Sequence, residues 1–262
     1  LRTHNLEHLI WERLSNSEEG RLKKLYLKHL AKNLKKYELE VINQVDAIAS
    51  ISSDDTSRFK KYSCKVPIES ISFGIDLEKI PYSQNEKEIE KISFFHIGSM
   101  DWSPNQEGIL WLIDEVIKKT DSGFNINLAG RNMPDWMFRE ESEKISVHGE
   151  VESAFDFMSK YDVMIVPLLS ASGIRVKIIE GMALGKTIIS TSIGAEGISY
   201  TDGENILIAN TPKDFIDKIN FISNNPKEVK RIGQNARSLV EKEFDNNKII
   251  KKLIEFYRKT IK

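Results

Sequence analysis

The sequence predicts an α/β fold built on a parallel sheet, with a smaller α/β unit ahead of it. Three observations carry this. Short apolar runs of strand length alternate with longer segments of helical period through most of the chain, which is the pattern of repeated strand–helix–strand units. Residues 162–191, DVMIVPLLSASGIRVKIIEGMALGKTIIST, contain one whole unit. Small-residue loops also follow the predicted strands, at Gly98-Ser99, Ala129-Gly130, Gly149 and Ser170 to Gly173. That is the edge of an open parallel sheet where ligands bind.

Length and composition bound the rest. At 262 residues the chain has room for one large or two small domains. Basic and acidic residues balance at 38 against 39, so no bulk field favours nucleic acid. Cys64 stands alone, which excludes an internal disulfide or a cysteine-rich metal site and suits a reducing cytoplasm. No apolar run approaches the length of a membrane span, and no secretory signal is visible. The first residue is Leu1, not Met, and we expect a piece of something longer.

The elements follow in order. Residues 1–16 read as a strand end turning into a helix, with Asn5 as its N-cap inside a polar cluster of His4, Asn5, Glu7 and His8. Residues 18–45 read as one long helix with Leu22, Tyr26, Leu30, Leu34, Tyr37, Val41 and Val45 as its apolar stripe. Lys23, Lys24, Lys28, Lys32, Lys35 and Lys36 crowd it, as on a solvated domain face or a helix lying on an anionic membrane. Residues 46–52 and 66–73 read as strands around a short helix capped by Ser53-Asp54-Asp55, and the polar stretch 83–91 as a linker.

Residues 92–97 open the larger unit as a buried strand, followed by a loop through Asn105 and a helix from Glu107 to Lys119. Further strands are read at 124–128, 145–148, 163–166, 187–190 and 206–208. Pro167 ends the central one, and a helix over 174–184 stops at Gly185. Helices at 212–223, 226–242 and 245–260 close the chain, with Pro212 and Pro226 in first turns and Asp245 as a cap. The last would pack through Ile249, Ile250, Leu253, Phe256 and Tyr257.

The chemistry concentrates before the helix at 174. A Ser/Gly loop entering a helix aims free backbone N–H groups outward, which favours an anion. Arg175 and Lys177 stand at the same place, where the helix dipole mildly disfavours cations unless an anion lies between them. We read them with the loop amides as a diphosphate cradle. Glu180, three residues after Lys177, can accept two ribose hydroxyls; a plain surface Lys177–Glu180 pair fits the same spacing. Arg131 reaches the ligand or sits on the surface, His148 is read as packing, and Glu196 either shapes the cleft or braces its loop.

The run Glu180-Gly181-Met182-Ala183-Leu184-Gly185-Lys186-Thr187-Ile188-Ile189 resembles the E-A-M-A-x-G-x-P signature of family 4 (group 1) retaining glycosyltransferases. Gly98-Ser99-Met100-Asp101-Trp102-Ser103-Pro104-Asn105, Gly194-Ala195-Glu196-Gly197-Ile198 and the opening R-x-H-N-x-E-H run are similar to variants of the same family. Gly181 and Thr187 depart from the usual Ala and Pro, Ser172 stands where the family often has a second Glu, and the family's usual Arg and Lys after the first strand of this domain are missing; Arg175 and Lys177 are read here as their replacements.

The resemblance implies a GT-B fold, a Rossmann-like parallel sheet with helices on both faces plus an incomplete second α/β domain. It divides the chain into 1–75 (acceptor side), 76–244 (nucleotide-sugar side) and 245–262, a helix crossing back. It implies transfer of a hexose-type sugar from a nucleotide diphosphate-sugar to a hydroxyl with retention, in polysaccharide or glycolipid synthesis, without a metal or other cofactor. His4, Arg175 and Lys177 would be catalytic; Gly98, Ser99, Arg131, Gly149, Val151, Ser172, Gly173, Ile174 and Glu180 would bind the donor. Partners would be the donor, a saccharide or lipid-linked acceptor and the inner face of a membrane. A nucleotide-sugar epimerase of the same shape and a non-catalytic nucleotide-sugar-binding module remain open.

Overall fold

The computed structural model describes residues 1–80, 82, 91–120, 124–171 and 173–260. Ser172 and most of the linker stretch lie outside the described residues.

Two parallel sheets organise the chain. The smaller has three strands in chain order, β1 (Arg2–Thr3), β2 (Ile48–Ser50) and β3 (Ile68–Ser70). Between β1 and β2 run α1 (Glu7–Ser17) and α2 (Arg21–Val41), packed as a helical hairpin, and α3 (Ser53–Lys61) follows β2. Leu6, Ile42, Ile48 and Phe59 form the buried centre of this unit. Leu6, not Asn5, holds the N-cap position of α1, and no side chain caps it. His8 is buried and structural: Nδ1 pairs with Glu38, and Nε2 lies 3.2 Å from the Tyr62 hydroxyl. Ser52 caps α3 by accepting from the Asp55 N–H at 3.0 Å, one residue before the cap read from sequence.

The stripe expected on α2 is met only in part: Leu30, Leu34 and Val41, with Val45 just beyond the helix, are half-buried. The helix buries Leu27 and Ala31, while Leu22, Tyr26 and Tyr37 are exposed. Two apolar stripes lie side by side here, and the hairpin with α1 selects the smaller one.

The larger sheet has six parallel strands in the order β6 (Ile145–Gly149), β5 (Ile126–Ala129), β4 (Phe94–Ile97), β7 (Val163–Val166), β8 (Thr187–Ser190), β9 (Leu207–Ile208). The chain builds outward from β4 to β6, then returns to the other side of β4 and builds outward again. The reversal opens a crevice between the carboxyl ends of β4 and β7. Both faces are covered, as the alternation in β7 shows: Val163 and Ile165 join one core, Met164 and Val166 the other. The first core takes α4 (Ser103–Leu112), α8 (Pro212–Asn224) and, through Val229 and Ile232, the start of α9 (Pro226–Glu243); the second takes α6 (Ala154–Ser159), α7 (Val176–Ala183) and, through Ala236 and Val240, the rest of α9. A short α5 (Asp135–Phe138) and α10 (Asn246–Thr260) complete the set.

Asp245 caps α10, its carboxylate accepting from the Asn247 N–H at 2.9 Å. The helix packs Phe256, Ile249 and Leu253 against Ala47, Ala49 and Ile71 of the small-sheet unit. Ile250 and Tyr257, expected on that side, are exposed.

α4 begins at Ser103, four residues earlier than the periodicity shows, because Pro104 starts a helix as well as it ends one. A π-helical turn, Ile113–Ile117, extends it. Gly108 lets α4 press onto the end of β7: a Cβ there would lie 2.4 Å from the Pro167 carbonyl oxygen. That neighbour is backbone and cannot turn aside. Gly108→Ala should therefore cost about 1–3 kcal/mol of stability, read by denaturant unfolding. An unchanged midpoint would show that α4 is free to shift.

Candidate nucleotide-sugar site

The crevice is lined by the loop after β4 and the loop that leads from β7 into α7. Arg175 is the N-cap residue of α7, and Lys177 lies one residue into the helix. Helix starts leave their first N–H groups without intrahelical partners. Both side chains therefore stand beside open amides.

Lys177 reaches across the crevice to β4. Its Nζ donates to Asn105 Oδ1 at 2.8 Å and lies 3.4 Å from His96 Nε2. His96 is fully buried, with Nδ1 2.7 Å from the Ile165 carbonyl oxygen. Nδ1 must carry the hydrogen, so Nε2 presents a lone pair to the lysine. Burial, and secondarily the Lys177 charge, push the His96 pKa well below its ordinary value, so the ring stays neutral. Asn105 is fixed by its own Nδ2, which donates to the Ser99 carbonyl at 2.8 Å.

The ammonium thus has neutral partners, and among the described residues no carboxylate pairs with it. The residue is half-buried, but its charged end is withdrawn from water. Burial first, and Arg175 second, lower its pKa to about 7. The Lys177–Glu180 ion pair that the spacing permits is not made. Glu180 is half-buried, and burial raises its carboxyl pKa.

Gly98 makes room for this arrangement. A Cβ there would sit 2.8 Å from Asn105 Nδ2 and 3.0 Å from Lys177 Nζ. Arg175 is buried as well, with its guanidinium 5.6 Å from the Trp102 ring centre. Burial lowers its pKa to about 10; Glu196 opposes that and Arg13 adds to it. Two cations therefore lie together at the reversal point of the sheet, both withdrawn from water.

The remaining predicted residues fall around it unevenly. Gly173, with φ of 83°, lies beside the end of β1: a Cβ on it would be 3.9 Å from the His4 carbonyl oxygen. His4 is exposed there. Ile174 is half-buried and packs against Gly197. Ser99 organises its own loop, its hydroxyl donating to Asp101 at 2.6 Å. Arg131 is exposed at the end of β5, and its carbonyl accepts from the Met100 N–H at 2.8 Å. Gly149 ends β6 with φ of 67°, and Val151 beyond it packs into the second core. His148 is exposed, hydrogen-bonds Asn127 at 2.9 Å and sets its ring edge on Phe157.

The sequence model of the glycosyl transferases group 1 family matches residues 91–225, more than half of the chain. The chain belongs to the group 1 glycosyltransferases.

Curated relatives and solved structures agree. An uncharacterized 44.6 kDa protein of the cps region of Klebsiella pneumoniae is 23% identical over 271 residues, spanning 97% of this chain and 67% of that protein. The uncharacterized glycosyltransferase MJ1178 of Methanocaldococcus jannaschii is 30% identical over 146 residues, 52% of this chain and 40% of its own length. A glycosyltransferase from Rickettsia africae superposes with a TM-score of 0.72 at 19% identity, covering 88% of this chain and 67% of that one. Anabaena Alr3699/HepE, solved in complex with UDP-glucose, gives 0.68 at 15% identity, covering 87% and 69%. At such identities the likeness shows the fold, a GT-B arrangement with a Rossmann-like sheet.

The two partners of Lys177 escape a reading by motif. His96 hides in an apolar strand and Asn105 in a run assigned to a loop. A histidine among buried strand residues, and an asparagine just after a helix-starting proline, are the signals that mark them. The lysine itself can be tested without ligand. Followed by ¹³C NMR at its ε-carbon, Lys177 should titrate near pH 7; an ordinary midpoint of about 10.4 would show that its ammonium is solvated.

Proposed function

We propose that this crevice binds the diphosphate of a nucleotide-sugar and that the protein transfers the sugar, with retention, to a hydroxyl of a saccharide or lipid-linked acceptor. The observation that carries the reading is the Lys177 ammonium, held by Asn105 and His96 without a counter-charge. A buried cation so placed costs stability in the empty protein. The cost is recovered when an anion enters.

In this reading the bond from the anomeric carbon to the phosphate oxygen breaks, and that oxygen keeps the electron pair. Arg175, Lys177 and the first amides of α7 meet the charge that builds there, so the protein's own cations do the electrostatic work. The acceptor oxygen bonds to the same carbon and passes its proton to the departing diphosphate oxygen, so bonds and charge balance within the reacting groups. Glu180 holds the ribose hydroxyls, His4 touches the sugar from the small-sheet side, and Gly149 and Val151 underlie the base. The complex of Alr3699/HepE with UDP-glucose supports the donor class by likeness of fold.

The acceptor side carries a second proposal, contact with a membrane. No helix among the described residues is long and apolar enough to cross one. Yet Leu22, Leu25 and Tyr26 of α2 are 85%, 66% and 64% exposed among Lys23, Lys24, Lys28 and Lys32. Apolar side chains ringed by lysines suit an anionic bilayer surface. The chain should sediment with vesicles containing phosphatidylglycerol and not with neutral phosphatidylcholine vesicles. Leu22→Ser with Leu25→Ser should abolish this, and equal recovery on both vesicles would refute it.

Donor binding should follow the lysine's proton. A bound diphosphate keeps Lys177 charged, while in the free chain the proton leaves above pH 7. Affinity for a nucleotide diphosphate-sugar is therefore greatest below that pH. It should fall by up to about tenfold per unit above it, with Arg175 charged throughout. Lys177→Ala should weaken binding roughly tenfold or more at pH 6 and flatten the profile. Calorimetry across pH 6 to 9 checks both, and a flat wild-type profile would remove Lys177 from the cradle.

A further inference from the structure

The loop that enters α7 meets the small-sheet unit at Arg13. Arg13, on the cleft side of α1, forks onto Glu196: Nη1 to Oε2 is 3.0 Å and Nη2 to Oε1 is 2.9 Å. Nη1 also donates to the Ala171 carbonyl at 2.5 Å. Three contacts from one planar guanidinium fix two loops at once. Ala171 belongs to the loop that leads into Arg175 and Lys177, and Glu196 to the loop after β8.

The second loop is wedged in place. Gly197 has φ of 83°, and a Cβ on it would lie 2.7 Å from Ile174 Cγ1 and 3.7 Å from Ser52 Cβ at the end of β2. Arg58 of α3 brings a further guanidinium to within 3.7 Å of Glu196. The Glu196 carboxylate is half-buried, and the three arginines 13, 58 and 175 overcome the effect of its burial and lower its pKa. It stays charged at neutral pH.

We propose that Arg13 and Glu196 are positioning residues for sugar transfer, a clamp that holds Ala171, ahead of Arg175 and Lys177, against the small-sheet unit and so sets the diphosphate cradle facing the acceptor side. The clamp touches no reacting atom. A single ion pair at the protein surface contributes little to stability, so the value of this half-buried one lies in its geometry. A guanidinium can hold a carboxylate side-on and a carbonyl in the same plane; an ammonium cannot. The role in transfer rests on the cradle reading, but the clamp can be tested apart from it.

The experiment is hydrogen exchange on the whole chain without nucleotide, for wild type, Arg13→Lys, Glu196→Gln and the double variant. The expected result is faster exchange confined to segments 168–176 and 193–198, with the double variant no worse than either single one and residues 94–97 unchanged. Unchanged exchange, additive effects, or loosening spread through the chain would overturn the clamp. Nucleotide diphosphate-sugar affinity supplies the second readout, and Arg13→Lys should lower it by about tenfold. Local loosening with undiminished affinity would overturn the positioning role. A wild-type chain that showed the clamp in exchange but bound no nucleotide-sugar would instead overturn the cradle.

Discussion

A positive charge kept out of water and given only neutral company is the constraint around which the larger sheet is arranged. Lys177 lies between β4 and β7 with an amide oxygen and an imidazole nitrogen as its partners. Each of those partners is itself fixed. Asn105 is held by the Ser99 carbonyl, and His96 by the Ile165 carbonyl, which also sets its tautomer. Gly98 leaves the space, and Gly108 lets α4 come close enough to bring Asn105 over the strand ends. A carboxylate in any of these places would satisfy the lysine and close the site to anions.

The scaffold can bear this because its two cores are continuous and apolar on either side of the sheet. Net protein stability is small, so a stranded charge is a real cost, and folds place such costs where a ligand relieves them. The proposed cradle stands on loops above the strand ends, and Arg13 of the small-sheet unit contacts two of those loops at Ala171 and Glu196.

Much of this was legible in the sequence. The strand–loop–helix–strand unit at 162–191 is found where it was read, and Gly185 ends its helix with φ of 70°. The Gly185 and Lys186 N–H groups turn back onto the carbonyls of Met182 and Gly181, the usual glycine-terminated helix end. Other elements were hidden for physical reasons. α5 and α6, at four and six residues, are too short to show a period. On α2, two stripes compete, and only the packing of α1 decides between them. His96 and Asn105 reach Lys177 over separations of 81 and 72 residues, which no local pattern encodes. Glu196 left open two roles, and its partner Arg13 lies 183 residues away.

The central claim is that Lys177 waits for a diphosphate. A crystal structure with a nucleotide diphosphate-sugar bound tests it most directly. The account predicts a diphosphate oxygen within about 3 Å of Lys177 Nζ, with Arg175 on the other side of the same group. A diphosphate seated elsewhere, with Lys177 still held by Asn105 and His96 alone, would contradict it.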